Sequence, residues 1–161
     1  MSINLHDVEK LQALYPEYQI ELREGKIIIM GPSDSASSEI GARFSTLLGT
    51  WVYSHNSGRV LDASTGFRMP NGDLLSPDVS FVSRERLKQN PRTYLSVIPE
   101  LIVEIKSSRD RIRELEEKIA FFLERVGRMP EAGLLVGTIP TEAEMNMVRM
   151  GTGAVIGLPP L

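Results

Sequence analysis

Leu101-Ile102-Val103-Glu104-Ile105-Lys106 sets an acid inside an apolar, β-branched run. Such a run suits a strand buried on both faces. A charge rarely sits there without a partner or a metal. A charged helical pattern follows over residues 111–126, with Asp110 as its candidate cap and Ile112, Leu115, Ile119, Phe122, Leu123 and Val126 as its core face. Ala132-Gly133-Leu134-Leu135-Val136 then reads as a second buried strand. Strand, helix and strand from 101 to 136 make a right-handed parallel crossover.

Upstream, Leu5, Val8, Leu11 and Leu14 form a helical stripe that Pro16 ends. Tyr18–Arg23 alternates with period two, as a strand with one wet face does, and Lys26–Met30 is its hairpin partner across Glu24-Gly25. Residues 36–54 read as a long helix with Ile40, Phe44, Leu47, Leu48, Trp51 and Val52 on one side. Arg59-Val60-Leu61 begins a strand leading into Ser64–Met69. Pro70-Asn71-Gly72-Asp73 is a turn, and Leu74–Val82 is the next strand. The expected fold is α/β (α+β), with a mixed sheet, an N-terminal helix and a β-hairpin.

The 161 residues suit a single domain over 1–161, and 42% hydrophobic residues provide a core. The core of the domain lies at about 10–136. Residues 137–161, with four Gly, three Pro and three Met, form an atypical segment. Met145–Met150 is its candidate edge strand and Gly151–Leu161 an irregular tail. The absence of cysteine excludes disulfides, thiolate metal sites and thiol nucleophiles. The two histidines, His6 and His55, are far apart, so a His-dominated metal centre is disfavoured. No stretch approaches a membrane span, and residues 1–20 lack the basic start and apolar centre of a signal peptide. A cytoplasmic protein with no membrane association is expected. A net charge of −3 argues against a protein that coats nucleic acid, but leaves room for an enzyme with a local basic groove.

Asp78 precedes Val79-Ser80-Phe81-Val82 and stands 26 residues before Glu104. Adjacent strands would bring the two carboxylates together, with Lys106 on the same face as Glu104 because residues i and i+2 share a face. Two carboxylates hold Mg²⁺ (Mn²⁺ substituting), the Ile105 carbonyl is a third oxygen, and a lysine beside them stabilises a phosphate under attack. Glu39, in the first turn of the 36–54 helix, is a fourth candidate ligand, or simply an acid favoured by the helix dipole. Lys118 stands four residues after Glu114, either as a surface pair or as a phosphate contact. Arg68 and Ser107 complete the candidate substrate contacts, with Arg59, Arg109 and Arg111 as further rim charges. A surface salt bridge from Lys106 to either acid would produce the same spelling.

Ser76–Val82, Pro99–Ser107, Leu115–Ile119 and Thr65–Asp73 together resemble the Uma2 family, formerly DUF820. Its members abound in cyanobacteria and are regarded as restriction-endonuclease-like nucleases of the PD-(D/E)XK type. The resemblance covers roughly residues 10–136. It implies a restriction-endonuclease-like fold, a central mixed sheet flanked by helices. It implies Asp78, Glu104 and Lys106 as the catalytic core, Glu39 as the helix acid of the metal site, and Lys118 as a basic position after the core strand. It also implies a homodimer. After Val136 the chain departs from the family pattern. The expected activity is Mg²⁺-dependent endonucleolytic cleavage of phosphodiester bonds, in DNA before RNA. The alternative is an inactive nuclease-like module that binds nucleic acid or protein.

Overall fold

The computed structural model describes residues 3–105, residues 113, 117, 118 and 120, and strand segments at 135–139, 148–149 and 155–156. Helix α1 (Leu5–Leu14) is opened by Asn4. Its side chain accepts the His6 N–H at 2.9 Å, and Asp7 accepts the Asn4 N–H at 3.0 Å in return. This reciprocal box satisfies donors that the first turn would otherwise leave open. Strands β1 (Gln19–Arg23) and β2 (Lys26–Met30) form the expected hairpin. Glu24 and Gly25 both take positive φ, 51° and 73°, as a two-residue turn between twisted strands requires. Helix α2 (Ser35–Ser54) is capped by Asp34, which accepts the Ser37 N–H at 2.9 Å.

The remaining strands are β3 (Gly58–Asp62), β4 (Phe67–Arg68), β5 (Leu74–Leu75), β6 (Val79–Ser83), β7 (Leu101–Ile105), β8 (Leu135–Ile139), β9 (Val148–Arg149) and β10 (Val155–Ile156). They form a mixed four-stranded sheet in the order β3-β6-β7-β8, in which β7 and β8 run parallel. An antiparallel sheet in the order β2-β1-β5-β4 stands beside it, and β9 pairs with β10. The run Leu74–Val82 is therefore two strands in different sheets, not one. Ser76-Pro77-Asp78 carries the chain from one sheet to the other, and Pro77 has no N–H to offer a ladder. The tail read as irregular contains β10. The strand expected at 132–136 begins at Leu135 in the described part and is parallel to β7; residues 132–134 lie outside it. Of the helix expected over 111–126, residues 113, 117, 118 and 120 are described and are helical.

Among the described residues three apolar clusters hold these layers. Val8 of α1 packs with Ile20, Leu22 and Leu74 of the antiparallel sheet. Phe44 of α2 packs with Val79, Leu101, Val103 and Ile105, flanked by Ile40 and Leu48. Phe67, Met69, Leu75, Val82, Leu95, Ile98 and Ile102 fill the space on the other side of the mixed sheet. Leu101, Val103 and Ile105 thus face α2, while Ile102 faces away from it, as period-two alternation dictates. The buried stripe of α2 is narrower than the sequence suggests. It follows Ile40, Phe44, Leu48 and Val52, whereas Leu47 and Trp51 are exposed and the Trp51 ring stacks on His55 at 4.5 Å. Leu14 likewise stands in solvent at the end of α1.

Candidate active site

The β6–β7 ladder pairs Val79 with Val103. One step further along the same antiparallel register, Asp78 meets the Glu104–Ile105 end of β7. Asp78 Oδ2 accepts the Ile105 main-chain N–H at 2.6 Å. The 26-residue spacing in sequence thus becomes a contact. Asp78 is half-buried and Glu104 is buried.

Glu104 shares the strand face of Ile102, away from α2, and there it meets Lys118. Lys118 Nζ donates to Glu104 Oε2 at 3.0 Å. Oε1 lies 2.9 Å from the same nitrogen, so the ammonium contacts both oxygens of the carboxylate. Lys118 is itself buried, which corrects its reading as half of a surface pair with Glu114. It also contacts Glu21 of β1, whose Oε1 is 3.0 Å away, and the Ser76 carbonyl at 3.4 Å.

Glu21 was missed in the sequence. It is wholly buried, although the alternation of β1 assigns it to a wet face. Its Oε1 accepts the Ser76 N–H at 2.8 Å, and Arg23 lies 3.5 Å from Oε2. The local pattern held no signal for it. Ser76, where the chain crosses from β5 to the mixed sheet, and Lys118 both reach Glu21 on that face.

These charges act on one another. Burial pushes the Glu104 carboxyl up to about 7, Asp78 and Glu21 push the same way, and Lys118 pulls it back. Burial would lower the Lys118 ammonium, but Glu104 and then Glu21 outweigh it and hold it above the usual lysine range. Both acids thus favour the charged form of Lys118.

The other candidate residues stand elsewhere. Glu39 is exposed on α2, the helix that covers the face of β7 opposite Glu104, and it is not among the charges acting on Glu104. Arg68 is exposed on β4, 3.9 Å from Glu9 of α1. Lys106 and Ser107 lie outside the described residues, as do Arg109 and Arg111. Among the described residues no group of three or more His, Asp or Glu side chains is arranged to hold a metal. Mg²⁺ does not need one, because it commonly takes one or two carboxylates together with water and substrate phosphate. Asp78 and the buried Glu104, whose Oε1 has no hydrogen-bond partner among the described residues although Lys118 lies 2.9 Å away, fit that donor set.

The sequence profile of Uma2, described as putative restriction endonuclease, matches residues 6–129. The chain belongs to the Uma2 family. The matched span includes Glu21, Asp78, Glu104 and Lys118. No curated protein matches the chain. Among solved structures, the fold is similar to that of a putative nuclease belonging to DUF820 from Anabaena variabilis ATCC 29413. The TM-score is 0.69 at 17% identity, over 98% of this chain and 86% of that one. The likeness establishes the fold, a mixed α/β architecture. Among the described residues no helix is long and apolar enough to cross a membrane.

Proposed function

We propose that this Uma2 protein hydrolyses phosphodiester bonds in DNA with a Mg²⁺ held by Asp78 and Glu104. The observation that supports it most is the meeting of these two acids at the end of β7, where the Asp78 carboxylate is fixed by the Ile105 N–H. When bound, Mg²⁺ would supply water activation and charge neutralisation at phosphorus. The chain supplies the rest. The Ile105 N–H orients Asp78, burial keeps bulk water from Glu104, and the Ile105 carbonyl at the strand end is a further oxygen for the ion. Lys106 follows Glu104 by two residues in the sequence, the spacing expected of a lysine that works beside it. There it would stabilise the phosphate oxygens. Two copies of the chain acting as a homodimer would cut both strands of a duplex.

Incubation of purified protein with plasmid DNA tests the reading. Cleavage is expected with Mg²⁺ or Mn²⁺, and loss of it in Asp78→Ala and Lys106→Ala. Divalent-dependent cleavage that persists unchanged in Asp78→Ala would exclude it. Salt-sensitive DNA binding with no turnover in any divalent ion would favour a binding module instead. Sedimentation analysis checks the dimer.

A further inference from the structure

Lys118 Nζ sits in a cage of oxygens. Glu104 Oε1 is 2.9 Å away, Glu104 Oε2 3.0 Å, Glu21 Oε1 3.0 Å, and the Ser76 carbonyl 3.4 Å. A buried ammonium with four oxygen neighbours occupies the kind of seat a small cation takes. It also engages both oxygens of Glu104, one of the two carboxylates proposed to hold the divalent ion. An ion that takes Glu104 must share it with Lys118 or displace it.

We propose that Lys118 is an internal cation that competes with the divalent ion for Glu104, and that Glu21 sets the balance by holding Lys118 from the other side. The inference rests on Asp78 and Glu104 being the ion's ligands. Two carboxylates, Glu21 and Glu104, face the Lys118 ammonium, Asp78 acts on Glu104 from the bend before β6, and Arg23 lies against the far oxygen of Glu21. Removing the ammonium leaves Glu104 wholly to the incoming ion. Removing the Glu21 charge leaves Lys118 wholly to Glu104. The two substitutions therefore act on ion affinity with opposite signs. A residue serving only as a strut between β1 and β7 would not produce opposite signs, because either substitution would loosen the same joint.

Titration with Mn²⁺ alone, following the free ion by electron paramagnetic resonance at fixed pH, separates these possibilities. The full-length chain is used as wild type, Asp78→Asn, Lys118→Gln and Glu21→Gln, with folding checked by circular dichroism. Wild type is expected to bind, and Asp78→Asn to bind at least about tenfold more weakly. Lys118→Gln, which keeps a hydrogen-bond donor without the charge, is expected to bind about tenfold more tightly. Glu21→Gln is expected to bind at least about threefold more weakly. If wild type binds through Asp78 but Lys118→Gln binds no better, the competition is overturned and the site reading stands. If wild type does not bind, the site reading falls and takes this inference with it. Should Lys118→Gln fail to fold, Glu21→Gln decides: weaker binding supports competition, and unchanged binding overturns it.

Discussion

Asp78 accepts the Ile105 main-chain N–H at 2.6 Å, joining the bend before β6 to the end of β7. The bond gives Asp78 a structural duty that substitution can separate from its proposed role at the metal. Asp78→Asn keeps an oxygen acceptor for Ile105 but loses the negative charge. Its stability is expected to stay within about 1 kcal/mol of wild type, while divalent-dependent DNA cleavage falls by about 100-fold or more. Asp78→Ala also orphans the Ile105 N–H and is expected to cost about 1–3 kcal/mol. Urea melts and plasmid nicking on the same preparations check both halves. An Asp78→Asn protein that cuts like wild type would remove Asp78 from the chemistry.

Glu104 is expected to contribute stability to the metal-free protein in mild acid. Its folded pKa is raised to about 7 by burial and by Asp78 and Glu21, against the pull of Lys118. The unfolded chain releases that proton near the ordinary carboxylate value of about 4.5. Between the two values the native state holds more protons than the unfolded one, so stability falls as pH rises. Above about 7 both states have lost the proton and this contribution is flat. The difference in unfolding free energy between wild type and Glu104→Gln isolates it from other carboxylates. That difference is expected to shift against wild type from pH 4.5 to 7 and then to level off. A difference independent of pH over this window would show that Glu104 titrates normally.

The candidate site could be read from the sequence where chemistry and local pattern coincide. Asp78 and Glu104 stood out because each adjoins an apolar run, and the β6–β7 register brings their strand ends together. The Lys26–Met30 and Leu101–Ile105 strands have the bounds the sequence suggests. What stayed hidden depends on which sheets touch. Glu21 occupies the polar phase of an alternating strand, and its burial depends on Ser76, at the crossing of β5 into β6, and on Lys118, both distant in sequence. Lys118 has the spacing of an ordinary helix surface charge, and its burial follows from meeting Glu21 and Glu104. Trp51 carried the opposite error: its spacing fits the core of α2, but the stripe that meets the sheet runs through Phe44, Leu48 and Val52 instead.

Glu21 is expected to matter for folding whether or not the protein has the proposed activity. Its carboxylate serves the Ser76 N–H and the Lys118 ammonium without contact with solvent. Glu21→Ala leaves a buried amide unpaired and strips Lys118 of one partner. Breaking a buried ion pair from one side costs about 3–5 kcal/mol. A loss of that size is expected in denaturant melts, and it should exceed the loss in Glu21→Gln, whose amide oxygen still accepts from Ser76. A Glu21→Ala protein within 1 kcal/mol of wild type by the same measurement would show that the network adds little to stability.

Gly58 and Gly41 are expected to respond to alanine in different ways, because different atoms stand where the new methyl would go. At Gly58, opposite Ser83 in the β3–β6 ladder, a Cβ would lie 2.2 Å from the Val82 carbonyl oxygen and 2.9 Å from the Ser83 Cα. Those are backbone atoms and cannot swing aside, so the ladder itself must shift. Gly58→Ala is expected to cost about 3 kcal/mol. Because β6 begins directly after Asp78, the shift should also weaken Mn²⁺ binding at the proposed site. At Gly41, inside α2, the nearest atom to a Cβ would be the Ile105 Cδ1 at 3.1 Å, the end of a flexible side chain. Alanine there gains roughly 1 kcal/mol of helix propensity, which offsets a small adjustment of Ile105. Gly41→Ala is expected to be neutral or stabilising in the same urea melts. Equal losses at the two positions would show that α2 is packed against β7 as tightly as β3 is against β6.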